Sequence, residues 1–248
     1  MTDDELLDVL NAAAGAVAGA LVGLADWGPA GTRPGQYRSD LVADEAALRV
    51  LDAAGLGVLS EETGDHNRDR ELLVVIDPVD GSTNASRRLP WYATSLCLLD
   101  GEGPRVGVVV NLATQDRYEA VRGGGARHNG EVMGPTGCTA MSDALVGVVG
   151  FPGKHLGWRQ VRALGAAALD LCAVATGQLD AFIDCSTAGH APWDYLAAFL
   201  ICQEAGAPVV DRMGRNLVVR TDTERRSPLA AATPALLQQA MAARAAVS

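Results

Sequence analysis

The stretch VVIDPVDGSTN, residues 74–84, joins an apolar run to two carboxylates and a glycine turn. The run ELLVVID, residues 71–77, predicts a buried strand that ends at Asp77, and Asp80 follows three positions later. Asp-Pro and Asp-Gly are ordinary turn dipeptides, and alone they indicate only a turn. The whole string directs two carboxylates and the Val79 carbonyl toward one place, and Mg²⁺ prefers such hard oxygen ligands.

The turn after this strand offers an anion-binding surface. Gly81, Ser82 and Thr83 supply backbone N–H groups and hydroxyls. If a helix begins here, its N-terminus can hold a phosphate. Cation-binding carboxylates beside an anion cradle indicate phosphate chemistry.

Four other acidic residues belong to the same hypothesis, although each has a more ordinary interpretation. Glu61 and Glu62, in VLSEETG, follow the end of another predicted strand, and alone they are typical of a solvated surface or a helix start. Asp194, in APWDYLAAFLICQEAG, is placed to interact with a helix dipole, and Asp40, in RSDLVAD, is unremarkable alone. The four histidines fit no nucleophile or zinc motif, so structural or surface roles are expected for them.

Composition restricts the classes of partner. The 248 residues include 20 basic and 30 acidic side chains, a net charge of −10, which argues against nucleic-acid binding and against capture by an anionic membrane. An acidic enzyme with an anionic substrate needs metal ions to reverse the local charge. Five cysteines without a Cys-x-x-Cys pair indicate reduced thiols in a cytoplasmic protein. The apolar segment 12–24 is too short and glycine-rich to span a bilayer and predicts part of a first helix.

Hydrophobic periodicity predicts a layered α/β fold rather than a doubly wound one, because strands cluster between flanking helices. The predicted helices cover 3–26, 44–55, 158–176 and 193–205, and one more begins at Pro234. The predicted strands cover 71–77, 93–100, 105–112, 117–122, 144–150, 179–184 and 228–232. We expect one catalytic unit over 1–248, with a seam near 134–143 if it divides into lobes of about 1–138 and 139–248.

Together these motifs resemble the inositol monophosphatase family of Mg²⁺-dependent, lithium-sensitive sugar phosphatases. Residues 77–84 match its D-P-[IVL]-D-G-[ST]-[TKR]-N signature, residues 60–62 match its G-E-E element, and residues 193–206 match its W-D…E-A-G segment. The resemblance runs from about residue 38 nearly to the end. It implies an αβαβα sandwich of the inositol monophosphatase and fructose-1,6-bisphosphatase type, and a homodimer.

The resemblance also implies a set of metal ligands. Glu61, Asp77 and the Val79 carbonyl would hold a first Mg²⁺ ion. Asp80 would bridge to a second ion, whose site Asp194 would complete. Glu61 would also help to place a third, looser ion, so two or three Mg²⁺ ions are expected.

Catalytic and phosphate-binding roles follow from the same resemblance. Ser82 stands where the family has a threonine and would be hydrogen-bonded to Asp40. That pair, together with Glu61, would activate the attacking water. The amides of Gly81 and Ser82, with Thr83 beside them, would bind the phosphate.

Substrate contacts are the least constrained part of the resemblance. Asp184 matches an acidic position that contacts substrate hydroxyls, and Ala167 is assigned to the same cavity. Ala43 and Ala166 replace hydroxyl residues of the family, and Arg38 stands in for its lysine. Inositol monophosphate is the favoured substrate, histidinol phosphate and fructose-1,6-bisphosphate are alternatives, and nucleotides rank below them.

Two hypotheses from other classes remain. A catalytically silent relative could serve as a regulatory or binding partner, but such a relative is expected to have lost a metal ligand, and all four carboxylates are present. A structural domain stabilised by Mg²⁺ or Ca²⁺ explains the carboxylates. It does not explain the amide turn at Gly81 and Ser82 or the acid at Asp40.

Overall fold

The computed structural model describes residues 1–247, which contain six α-helices and thirteen strands. The helices are α1 Asp3–Leu21, α2 Arg38–Ala53, α3 Ser82–Ser86, α4 Ala167–Ala175, α5 Pro192–Ala205 and α6 Pro234–Ala245. The strands are β1 Gly57–Ser60, β2 Gly64–His66, β3 Leu73–Asp80, β4 Ala93–Asp100, β5 Gly103–Asn111, β6 Arg117–Val121, β7 Gly125–His128, β8 Glu131–Val132, β9 Leu145–Val149, β10 Gln160–Arg162, β11 Ala181–Asp184, β12 Val209–Asp211 and β13 Pro228–Ala231.

The strands form two sheets. The first has eight strands in the order β2-β1-β3-β4-β5-β6-β7-β8, in which β1 and β3 are parallel and the other neighbours are antiparallel. The second has five strands in the order β10-β9-β11-β13-β12. The chain passes from one sheet to the other between β8 and β9.

Helices and sheets alternate in five layers. Helices α1 and α2 bury their apolar faces against one side of the first sheet. Helices α4 and α5 fill the space between the two sheets, and α6 covers the outer side of the second sheet. Each sheet is therefore covered on both faces, which explains why β3 and β11 are buried along their whole length. The predicted layered αβαβα class is confirmed.

Helix α1 contains most of the small-residue stretch 12–24. It begins with a capping box, in which the Thr2 hydroxyl accepts the Glu5 N–H and the Thr2 N–H donates to the Glu5 carboxylate. Leu6, Leu10 and Val17 pack into the core below the first sheet. Among residues 1–247, no helix has the length and apolar character needed to cross a membrane.

Several element predictions need correction. The helix predicted over 158–176 is wrong in its first half, because Gly165 has φ +88°, a left-handed conformation that a right-handed helix cannot contain. Residues 160–162 instead pair with β9, and α4 begins at Ala167. The helix predicted over 44–55 begins earlier, at Arg38. Strands β2, β7, β8, β10 and β12 were not predicted, since all are short.

The strand that carries the first two carboxylates does not end at Asp77, as predicted, but continues to Asp80. Asp77 pairs with Ser95 and Asp80 pairs with Ala93, so β3 contains one extra residue relative to β4. Pro78 lies within this bulge, where its missing N–H costs no ladder hydrogen bond. Residues three apart in a regular strand face opposite sides, and the extra residue turns Asp77 and Asp80 to the same face.

The contact between α5 and the first sheet depends on Gly107 in β5. A Cβ atom at this position would lie 2.9 Å from the Ala197 carbonyl oxygen and 3.4 Å from the Ala197 Cα atom. We expect Gly107→Ala to push α5 away and to lower the free energy of unfolding by about 1–3 kcal/mol, measured by urea titration. The matched control is Gly101→Ala, because no heavy atom lies within 4 Å of that added Cβ. A change within roughly 0.5 kcal/mol is expected for the control, and equal effects would contradict the packing argument.

Candidate metal centre

Three carboxylates lie close together in the folded chain, one from the residue after β1, one from β3 and one from α5. One oxygen each of Glu61, Asp77 and Asp194 lies within 4.8 Å of the other two. Glu61 directly follows β1, and its N–H donates to the Ile76 carbonyl at 3.1 Å, which aligns it with the end of parallel strand β3. Asp194 is the third residue of α5. Residues that are 133 positions apart in sequence thus share one small volume.

Asp77 and Asp80 are oriented by backbone N–H groups. Asp77 Oδ1 accepts the Val79 N–H at 2.9 Å, inside the bulge. Asp80 Oδ2 accepts the Ala168 N–H at 2.7 Å, from the first turn of α4. Both side chains are buried. Each aspartate therefore has one oxygen held by a backbone N–H group, and Asp77 also forms a side-chain hydrogen bond with Glu61.

Burial and mutual repulsion disfavour the charged forms of these acids. Burial, together with the charges of Asp194 and Glu62, raises the pKa of Glu61 to about 8. Burial and the charge of Glu61 raise the pKa of Asp77 well above its usual range. Burial and the charge of Asp194 raise the pKa of Asp80, against the Ala168 hydrogen bond that lowers it. A divalent cation would remove this penalty, and the all-oxygen donor set suits a hard cation such as Mg²⁺.

His190 contacts this centre, and of the structural and surface roles expected for the histidines it has a structural one. Its Nδ1 atom lies 3.3 Å from Asp194 Oδ2, and its Nε2 atom lies 3.8 Å from Asp184 Oδ1. Burial opposes protonation of this histidine, but the Asp194 hydrogen bond and the charges of Asp184 and Asp80 outweigh it and raise its pKa. The i,i+4 spacing from His190 to Asp194 was the signal in the sequence that could have identified it.

The predicted substrate residues lie away from solvent. Asp184 is fully buried, and its Oδ1 accepts the Ser186 N–H at 2.8 Å. Ala167 is 3% exposed, and Ala166 beside it is fully buried. These placements argue against direct substrate contact by Asp184 or Ala167. Asp184 instead lies behind His190.

Asp40 and Ser82 line one cavity of about 500 Å³ together with Glu61, Glu62 and Trp193. Asp40 accepts the Tyr37 N–H at 2.9 Å and the Ser39 hydroxyl at 3.1 Å, and burial raises its pKa to about 6. No hydrogen bond joins Ser82 to Asp40 within residues 1–247, so the predicted direct bond between them is absent. The helix N-terminus at Tyr37 engages the Asp40 carboxylate instead.

The carboxylate of Glu62 interacts with Arg33 and Gln36 and does not belong to the acidic cluster of the metal centre. Arg33 Nη2 lies 2.8 Å from Glu62 Oε2, and Gln36 donates to the same oxygen. Arg33 also donates to the Glu61 carbonyl at 3.1 Å. This anchors the turn that carries Glu61.

Two buried acids that sequence reasoning missed support the centre from behind. Asp44 accepts the hydroxyls of Ser60 and Thr63, at 2.5 and 2.7 Å, and so fixes the turn around Glu61. Asp170 accepts the Trp91 indole N–H at 2.8 Å, and burial raises its pKa to about 7. Asp170 is far from the other acids in sequence, and for Asp44 only its four-residue spacing from Asp40 hinted at a role.

The turn after β3 requires glycine. Gly81 has φ +85°, and a Cβ atom there would lie 3.0 Å from the Trp91 carbonyl oxygen and 3.1 Å from Ala166 Cβ. Helix α3 begins at Ser82, and the first N–H groups of a helix have no partner inside it. The Thr83 hydroxyl lies 3.2 Å from the Tyr37 hydroxyl at the exposed side of this turn. The chain therefore presents amide donors close to the carboxylates, an arrangement that can bind an anion beside cations.

Comparison with known proteins identifies inositol monophosphatases and related phosphatases as relatives of this chain. The model of the inositol monophosphatase family matches residues 40–248. A fructose-1,6-bisphosphatase/inositol-1-monophosphatase of Thermococcus kodakarensis is 36% identical over 203 residues, which are 80% of this chain and 78% of that protein. An inositol-1-monophosphatase of Mesorhizobium japonicum is 34% identical over 204 residues, which are 73% of this chain and 74% of that protein. The solved inositol monophosphatase of Anabaena (Nostoc) sp. PCC 7120 is 25% identical with a TM-score of 0.82, and the match covers 99% of this chain and 97% of that one.

The raised pKa of Glu61 predicts how stability depends on pH. Its ordinary value is 4.5 and its folded value is about 8, so between these the folded chain retains a proton that the unfolded chain releases. In chelator, the thermal midpoint should therefore fall as the pH rises from about 5 to about 8. Saturating Mg²⁺ should raise the midpoint by about 5–10 °C near pH 8 and by less near pH 5, where bound protons compete.

Differential scanning fluorimetry at both pH values measures this. Glu61→Gln is the informative variant, because it removes the titrating group and should flatten the pH dependence in chelator. An equal Mg²⁺ effect at both pH values would contradict the assignment.

Proposed function

The chain belongs to the inositol monophosphatase family of phosphoric monoester hydrolases, and we propose that it is a Mg²⁺-dependent phosphomonoesterase acting on a small sugar or polyol phosphate. The family comparisons confirm the resemblance seen in the sequence. The observation that carries the proposal is the convergence of Glu61, Asp77 and Asp194 beside the amide turn at Gly81. Neither a silent binding relative nor a purely structural cation site needs both features together.

Five groups would hold two or three Mg²⁺ ions, namely Glu61, Asp77, Asp80, Asp194 and the Val79 carbonyl. Bound ions would neutralise the charge on the phosphate and the leaving oxygen and would lower the pKa of a water. The protein's part is orientation: the Ala168 N–H orients Asp80, and the Ala191 N–H, at 2.8 Å, orients Asp194. These N–H groups belong to the starts of α4 and α5, where donors are unpaired within the helix.

In the proposal, Asp40, Glu61 and Ser82 activate the attacking water. Asp40 has a pKa of about 6, so near neutral pH it is ionised and able to accept a proton. Ser82 lines the same cavity, and its hydroxyl can donate and accept in turn. The Asp40 carboxylate would accept the proton from water, and the Ser82 hydroxyl, which has no direct hydrogen bond to Asp40, would orient that water from the same cavity, without any nucleophilic side chain.

The phosphate itself would be held by the turn after β3. The backbone N–H groups of Gly81, Ser82 and Thr83 lie at the start of α3, where unpaired donors favour binding of an anion. Gly81 keeps this backbone close to the centre, because its left-handed conformation and tight surroundings exclude a side chain.

Sequence resemblance favours inositol monophosphate as the substrate. Histidinol phosphate is an alternative, and fructose-1,6-bisphosphate is supported by the double name of the Thermococcus kodakarensis relative. A phosphate-release screen over these three esters, with and without Mg²⁺, tests the proposal. Release from none of them in Mg²⁺ would overturn it and would favour a silent relative.

We also propose one catalytic unit that works as a homodimer in the cytoplasm and is inhibited by lithium. The single unit is supported by the middle layer, since α4 and α5 pack against both sheets. The reducing location is supported by five cysteines that are all unpaired. Dimerisation and lithium inhibition rest on family membership.

Asp80→Asn tests the metal scheme with an isosteric change. Loss of one ligand charge should lower kcat/KM for Mg²⁺-dependent phosphate release by about a hundredfold or more, since metal stabilisation is worth several kcal/mol. The control is Asp69→Asn, which changes an exposed acid without hydrogen-bond partners in residues 1–247 and should retain activity. Turnover by Asp80→Asn close to that of the control would count against the scheme.

His190→Gln tests a positioning role, because His190 contacts Asp194 and not the phosphate site. Loss of this contact should weaken apparent Mg²⁺ affinity by about 10–100-fold, as is usual for groups that orient metal ligands. Activity should largely recover at high Mg²⁺, which a folding defect would not allow. His155→Gln, at an exposed position, is the control. An unchanged Mg²⁺ requirement would remove His190 from the centre.

A further inference from the structure

A second cavity, also of about 500 Å³, lies next to the metal centre and is lined by four arginines. We name it the arginine cavity; its basic residues are Arg212, Arg215, Arg225 and Arg244. Within residues 1–247, no aspartate or glutamate lines it. The chain has 30 acidic and only 20 basic side chains, so this local excess of positive charge opposes the overall composition. Such a cavity favours an anion.

Two of the four arginines are already engaged by the protein. Arg215 forms a bidentate ion pair with Asp211, at 2.8 and 2.9 Å. Arg244 is buried, and its Nε atom donates to the Asp184 carbonyl at 2.9 Å. These two side chains shape the cavity wall and hold the ends of β12 and β11 in place.

Arg212 differs from them, because its guanidinium has no hydrogen bond or ion pair with any of residues 1–247. Its backbone is fixed, since the Arg212 N–H donates to the Ser227 carbonyl at 2.8 Å. The residue is half-buried. A half-buried guanidinium without a counter-charge loses hydration and gains nothing from the protein, but it is ready to bind a phosphate or carboxylate through two N–H groups.

Arg225 connects the two cavities. It lines the arginine cavity and also the cavity that contains Glu61 and Ser82. Its guanidinium carbon lies 5.7 Å from the centroid of the Trp193 ring, and its N–H groups donate to backbone carbonyls. No carboxylate among the described residues pairs with it. The side chain is therefore positioned by an aromatic ring and carbonyls while its charge remains available.

The opposite wall of the arginine cavity is the loop after β11. Ser186 and Thr187 line it with hydroxyl groups, and Gly189 holds the loop close to Arg226. A Cβ atom at Gly189 would lie 2.9 Å from the Arg226 carbonyl oxygen. The cavity thus has hydroxyl groups as well as arginines in its lining, and it shares Arg225 with the cavity that contains Glu61.

From this geometry we infer that the preferred substrate bears a second anionic group, and that Arg212 and Arg225 bind it while the first phosphate is hydrolysed. The substrate class is a phosphate ester with a further phosphate or carboxylate, in preference to a neutral polyol monophosphate. This inference rests on the proposed function, because the first phosphate is taken to lie at the metal centre. In this inference both kinds of ester are hydrolysed, and Arg212 and Arg225 determine the ratio of the two kcat/KM values.

The test compares kcat/KM for fructose-1,6-bisphosphate and for inositol 1-phosphate, with the Mg²⁺-loaded full chain and phosphate release as readout. The native chain should favour the bisphosphate. Arg212→Ala should lower the ratio of the two kcat/KM values by about tenfold or more, mainly through KM for the bisphosphate, because a charged hydrogen bond is lost. Arg212→Lys should restore part of the ratio. Arg225→Ala should lower it as well.

The control is Arg159→Ala, which removes an equal charge from an exposed position that lines neither cavity. It should leave the ratio unchanged. A native chain that favours inositol 1-phosphate, or an unchanged ratio in Arg212→Ala, would overturn the inference and leave the proposed function intact. Absence of Mg²⁺-dependent release from both esters would overturn this inference, and the proposed function with it if histidinol phosphate is not hydrolysed either.

Discussion

Repulsion between buried carboxylates is the constraint on which the rest of this structure depends. Glu61, Asp77 and Asp194 bring oxygens within 4.8 Å of one another, with Asp77 buried and the other two half-buried, so the pKa values of Glu61 and Asp77 rise unless a cation neutralises the cluster. A fold of marginal stability tolerates such a cluster when bound protons or a cation offset the repulsion. The same cation would let a chain of net charge −10 attract a phosphate ester.

A β-bulge and backbone N–H donors at helix starts bring these carboxylates together. The bulge in β3 turns Asp77 and Asp80 to one face, and the first turns of α4 and α5 donate N–H groups to Asp80 and Asp194. The middle helical layer therefore has two functions. It fills the core between the sheets, and its helix starts orient the acids. This arrangement explains why close packing, as at Gly107 against Ala197, bears directly on the geometry of the centre.

Acidic and basic side chains are separated between two neighbouring cavities. Acids dominate around Glu61, and arginines dominate on the other side of Arg225. The Trp193 ring lies between them, and it immediately precedes Asp194 in α5. A single helix start thus contributes to both the cation-binding and the anion-binding sides. A substrate with two separated anionic groups matches that division better than a neutral polyol does.

The sequence alone determined the layered α/β class, strand 93–100 with its observed bounds, and the acidic string ending in a glycine turn, because periodicity and turn chemistry are local properties. Family resemblance then assigned Glu61 and Asp194 to the same site. Only the tertiary structure decided that β3 bulges, that Asp184 is buried behind His190, and that the Arg212 guanidinium has no acidic partner among the described residues. These features depend on which distant residues become neighbours, and burial and electrostatic interactions act through space and not along the chain.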